Sequence, residues 1–188
     1  MWMRSVAALA CFISAGSAGA AQSLDISLSD DTARVVYAGP TGQQGFGRGE
    51  FTVGLLFTEQ EDFFGELGIR VIGEAGTDAP GLLAGVAVKA VGVAADAGDA
   101  VALTLGGLVD YAPPPLPRLH LEAAVNYAPG IVTFLDGDRF YHWSLGVGYE
   151  VLRDATVYLG YRKMRLSIDK GPDLNLDNGG HLGLKFKF

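Results

Sequence analysis

The sequence predicts an all-β protein: a transmembrane, antiparallel up-and-down meander β-barrel of about ten strands, eight long ones plus a short N-terminal hairpin. Apolar and polar residues alternate along much of the chain, as in Leu182-Gly183-Leu184-Lys185-Phe186-Lys187-Phe188, and a two-residue period gives a strand one oily and one wet face. Hydrophobic residues make up 49% of the 188 and charged ones 19%, yet beyond residue 20 no uncharged apolar run reaches the ~18–20 residues of a spanning helix. A chain this apolar without such a helix can satisfy its backbone polar groups in lipid only as a closed barrel.

Residues 1–20 read as a cleaved signal peptide. Arg4 gives a positive start, Val6–Ile13 is a compact apolar core, and Ser14–Ala20 is small-residue material ending in an A-x-A-like site, so cleavage is expected after Ala20. Residues 21–188 then form a single barrel domain. The one cysteine, Cys11, lies near the middle of the apolar core, whereas a lipid-attachment cysteine belongs at its end. Without it the mature chain has no disulfide, thiolate nucleophile or thiolate metal site. The net charge of −7 provides no basic surface for nucleic acid.

Alternation and turn signals place the strands in order. Leu24–Ser29 and Thr32–Tyr37 make the short hairpin about Asp30-Asp31, and whether it completes the wall or rests inside it stays open. The glycine-rich stretch Gly39–Gly45 connects to Gly47–Thr58, followed by Phe63–Glu74, Leu82–Ala94 and Ala100–Tyr111. Pro113-Pro114-Pro115 blocks continuation. Leu116–Ala128, Tyr141–Leu152, Ala155–Ile168 and Gly179–Phe188 complete the set, leaving Pro129–Phe140 and Asp169–Asn178 as exposed loops.

Splitting each strand by parity separates the faces. One carries Leu, Val, Ile, Phe, Tyr and Trp without charge. The other carries Glu50, Glu66, Arg70, Lys89, Asp110, Arg118, Glu122, Glu150, Arg162 and Lys185, spaced by Gly, Ala, Ser and Thr. About ten strands enclose a lumen little wider than its own side chains, which suits glycine and paired charges and excludes the large apolar set. Facing a Lys or Arg into lipid would cost roughly 2–4 kcal/mol near the midplane, so the oily face is expected outside.

The aromatics group at strand ends. Phe57, Phe63, Tyr127, Tyr141 and Trp143 fall on one side and Tyr37, Phe51, Tyr111 and Phe188 on the other, the pattern of two interfacial girdles. Leu184, Phe186 and the terminal Phe188 resemble the closing strand of bacterial outer-membrane barrels, whose assembly machinery reads such an end. The opening Leu24-Asp25-Ile26-Ser27-Leu28-Ser29-Asp30-Asp31-Thr32, the run Tyr158-Leu159-Gly160-Tyr161-Arg162 and the closing Asp177–Phe186 together resemble the YfaZ family of small outer-membrane proteins. The resemblance implies a barrel in the outer membrane of a Gram-negative bacterium, among lipid and lipopolysaccharide, and transfers no catalytic residue.

His142, Ser144 and Glu150 share one strand face and are the nearest approach to a nucleophile, base and orienting acid. His142-Trp143-Ser144 resembles the H-x-S arrangement of outer-membrane lipid A deacylases, but Leu145 stands where that pattern has asparagine, and parity turns the group inward, away from lipid. A lumen network is the simpler account, and no catalysis is expected. His142 and His181 are about two strand spacings, ~9.5 Å, apart and His120 lies near the other end, so neither metal nor cofactor is expected. The expected role is a side-chain-filled barrel acting structurally or through its loops. The alternatives are a narrow ion or solute channel and a lipid A hydrolase.

Overall fold

The computed structural model describes residues 22–44, 47–60, 62–76, 78–95, 98–169, 171 and 173–188; the signal peptide expected over residues 1–20 lies outside them. The strands are β1 (Ser23–Ser29), β2 (Thr32–Gln44), β3 (Gly47–Thr58), β4 (Phe63–Glu74), β5 (Leu82–Ala95), β6 (Gly98–Tyr111), β7 (Leu119–Ala128), β8 (Thr133–Leu135), β9 (Gly137–Leu152), β10 (Ala155–Ile168) and β11 (Leu174–Lys187). Ten of them close a meander, each long strand beside its neighbour in sequence and β5 pairing β6. The seam is antiparallel, from Ser23 opposite Lys187 to Ser29 opposite His181. The opening hairpin is therefore wall.

Several bounds differ from those read in the sequence. β2 runs on to Gln44, so most of Gly39–Gly45 is strand rather than connection; a bulge between Pro40 and Gly42 accommodates the proline that cannot donate to the ladder. β7 begins at Leu119, not Leu116. The two expected loops are largely structured. A 3-10 turn, Gly130–Val132, interrupts the wall. β8 then takes up beside Ala100–Ala102 of β6, the strand that β7 accompanies lower down. β11 starts at Leu174, so Asp177 and Asn178 are strand residues.

The apolar parity set faces outward. Leu184 is 42% and Val147 51% exposed, where a soluble barrel would bury them. Among the described residues no helix is long and apolar enough to cross a membrane. A closed ladder whose outer face is an apolar band, with charge on that face toward the strand ends at Arg139, Lys163 and Arg165, is the form a bilayer admits.

Candidate functional site in the barrel lumen

Inward positions of neighbouring strands pair a glycine with a bulky polar residue. Gly54 faces Glu66, Gly68 faces Lys89, Gly160 faces His181 and Gly183 faces Tyr158 in the ladder. A Cβ on Gly54, Gly68 or Gly160 would lie 2.7, 2.6 or 2.6 Å from that partner's side chain. The glycines thus give long side chains room to lie across the wall, and this is how a narrow barrel holds so many charges.

Those charges form layers. At the end bearing the termini, Glu50 accepts from Arg48 and Arg70, each at 2.8 Å, and Lys185 Nζ donates to Glu122 Oε1 at 2.6 Å. Asp110 lies 3.0 Å from His120 Nδ1, and Tyr158 donates its hydroxyl proton to Asp25. Midway, Glu66 receives Arg34 at 2.6 Å and Lys89 at 3.2 Å. Arg162, 1% exposed, donates to Asp177 at 2.7 Å and to Ser27 Oγ at 3.2 Å. Removing one partner of a buried pair like this typically costs about 3–5 kcal/mol. Arg118 and Glu150 are joined only through main chain, the Glu150 N–H donating to the Arg118 carbonyl at 2.9 Å; neither side chain has an ion-pair partner among the described residues.

Above these layers the lumen is not polar, which corrects the expectation of glycine and charge throughout. Leu56, Phe64, Phe140, Met164, Leu166 and Leu176, each at most 2% exposed, fill the end opposite the termini. Phe64 and Phe140 stack there with ring centroids 5.8 Å apart. Small neighbours, Ala100, Ala102 and Ala128, make the room. Parity assigns a face but not what the face meets, and inside a closed barrel opposite walls meet each other. Burial of this kind stabilises by about 1.5–3 kcal/mol for each large side chain.

Asp177 reaches Arg162 through an irregularity that alternation cannot show. The β10–β11 register shifts between Met164, opposite Asp177, and Arg165, opposite Asn175. Leu176 and Asp177 are consequently adjacent and both buried, one in the apolar layer and one on the guanidinium.

His142 is 4% exposed; its Nδ1 stands 3.4 Å from the Asn126 amide, and its Nε2 has no protein partner among the described residues. No hydrogen bond joins it to Ser144 or Glu150 among those residues. His142 and His181 stand on β9 and β11 with β10 between them, and no group of three His, Asp or Glu residues is arranged to hold a metal among the described residues.

On the outside, Phe57 and Phe63 pack at 5.4 Å and Trp143 meets Tyr161 at 5.4 Å on the far side, while Tyr37 meets Phe51 at 5.6 Å near the termini. Tyr111, Tyr127 and Tyr141 are exposed on the same surface. Phe186 and Leu184 face outward beside Phe188, which exchanges both main-chain hydrogen bonds with Gln22 at 2.8 and 3.0 Å.

No curated protein matches the chain. Among solved structures it is similar to the KdgM porin in complex with disordered oligogalacturonate, at 9% identity, TM-score 0.46, over 89% of this chain and 99% of that one. It is also similar to the outer membrane channel DcaP of Acinetobacter baumannii, at 12% identity, TM-score 0.42, over 91% of this chain and 60% of that one. The family described as YfaZ precursor matches residues 4–188, nearly the whole sequence, and the protein belongs to it.

Proposed function

We propose that the protein is a closed outer-membrane barrel that serves the envelope structurally or through its exposed ends, and does not pass solutes. The apolar layer around the stacked Phe64 and Phe140 carries this reading. An aqueous path needs continuous room for water, and a dry layer of interlocked side chains offers none. The ion-paired layers beneath it leave few charges free to attract a permeant ion.

Outer-membrane residence rests on the outward apolar band, its aromatic ends and the precursor family. The partners are lipid and lipopolysaccharide, and the barrel-assembly machinery through Leu184, Phe186 and Phe188. Non-enzymatic status rests on the inward burial of His142 and its pairing with Asn126 rather than Ser144. Planar-bilayer recording of the purified protein is the test: absence of steady conductance is expected, and a sustained open level would overturn the closed reading.

A further inference from the structure

At the end opposite the termini, the β1–β2 and β3–β4 turns and the start of β11 enclose a recess of about 350 Å³. Its lining holds Asp30, Asp31, Glu59, Asp62 and Asp177 and, among the described residues, neither lysine nor arginine. The walls are tied together. Ser29 Oγ and Thr32 Oγ1 lie 2.8 Å apart, the Glu59 N–H donates to the Asp31 carbonyl at 3.0 Å, and Thr32 Oγ1 donates to Asp177 at 3.0 Å. Asp177 is already answered by Arg162.

Asp62 is different. It is 6% exposed and stands in the lining of the recess just before β4 begins. All its hydrogen bonds among the described residues are made by its main chain with Thr58. Its carboxylate opens on the recess with no donor of its own among the described residues, which leaves it free to meet a cation.

We propose that this recess binds an organic cation carrying two or more ammonium groups, with Asp62 as the buried anchor and Glu59, Asp30 and Asp31 meeting the remaining charge at the rim. The carboxylates are spread across the recess, and no three are grouped as a metal shell requires among the described residues. Separate ammonium groups, each with several donors, suit separated carboxylates, and the Gln60 amide, also in the lining, supplies a neutral acceptor. The net charge of −7 favours approach of such a ligand. The inference does not depend on whether the lumen conducts.

Isothermal titration of the detergent-purified protein with spermidine tests it, with n-butylamine and MgCl₂ at matched ionic strength as comparators. One saturable spermidine site is expected, weakened at least tenfold by Asp62→Asn and measurably by Glu59→Gln, and unchanged by Glu74→Gln at the other end. Glu59 is exposed, so its variant keeps the test alive should Asp62→Asn fail to fold. Absence of saturation, or affinity indifferent to both recess variants, overturns the proposal. So does n-butylamine or Mg²⁺ binding as tightly as spermidine, the latter assigning the recess to a divalent cation.

Discussion

Phe64 and Phe140 lie nearly parallel across the lumen, their ring planes 15° apart and their centroids separated by 5.8 Å. The two residues come from strands that are not neighbours in the wall, so their contact spans the interior. Replacing both with alanine removes the layer's two largest members. Discrete conductance steps are expected in bilayer recordings of the double variant, against none for the parent. Each single Phe→Ala change is expected to destabilise the barrel by about 3–5 kcal/mol, read by urea unfolding in detergent or lipid vesicles. A folded double variant that still shows no conductance would show that the layers beneath also seal.

Arg162→Met leaves Asp177 without its cation in a site where that carboxylate is 5% exposed. The expected loss is about 3–5 kcal/mol, while the paired change Arg162→Met with Asp177→Leu restores much of it. A double-variant stability no better than the single one would refute the pairing as the source of the loss.

Gly183→Ala drives a methyl group into the Tyr158 ring, whereas a Cβ on Gly146, also on the inner face, meets nothing closer than the Leu159 carbonyl oxygen at 3.6 Å. Overpacking costs about 1–3 kcal/mol, so Gly183→Ala is expected to lower the unfolding midpoint and Gly146→Ala to leave it close to the parent. Equal effects at the two positions would contradict the account of glycines as seats for long side chains.

Where β10 ends and β11 begins, the Ser167 hydroxyl and the Arg165 guanidinium hold the Asp173 carboxyl below the usual aspartate range. Because the folded-state value is depressed, the contact stabilises at pH above the unfolded-state value of about 4. That contribution fades as pH falls through the lower folded value. Carboxyl-resolved NMR titration is expected to show the depressed midpoint, and Ser167→Ala to raise it. A midpoint unmoved by Ser167→Ala would remove the hydroxyl from the explanation.

The wall was legible in the sequence because alternation reports directly on a sheet whose two faces meet different solvents. Leu67, Val86 and Leu159 could be assigned to the outer face from parity together with the narrowness of the lumen and the cost of charge in lipid. The dry layer was not, because Leu56 beside Leu55 and Phe64 beside Phe63 make both faces apolar at those positions, and periodicity is silent about what stands opposite. Asp177 was hidden for another reason. Gly179 reads as the start of the last strand, yet the strand begins at Leu174, and the bulge in that added stretch puts two successive residues inside. Of the ten charges expected in the lumen, Arg118 and Glu150 gain no ionic partner among the described residues, while Arg34 and Asp25 turn out to anchor Glu66 and Tyr158.

The seam between β1 and β11 makes closure a terminal event in time as well as in space. Every earlier hairpin can zip locally, but the first strand keeps one side of its hydrogen-bonding groups open until the final residues arrive across nearly the whole length of the chain. A ribbon lacking β11 would present two raw edges to hydrocarbon, so a chain without its last strand has no way to close.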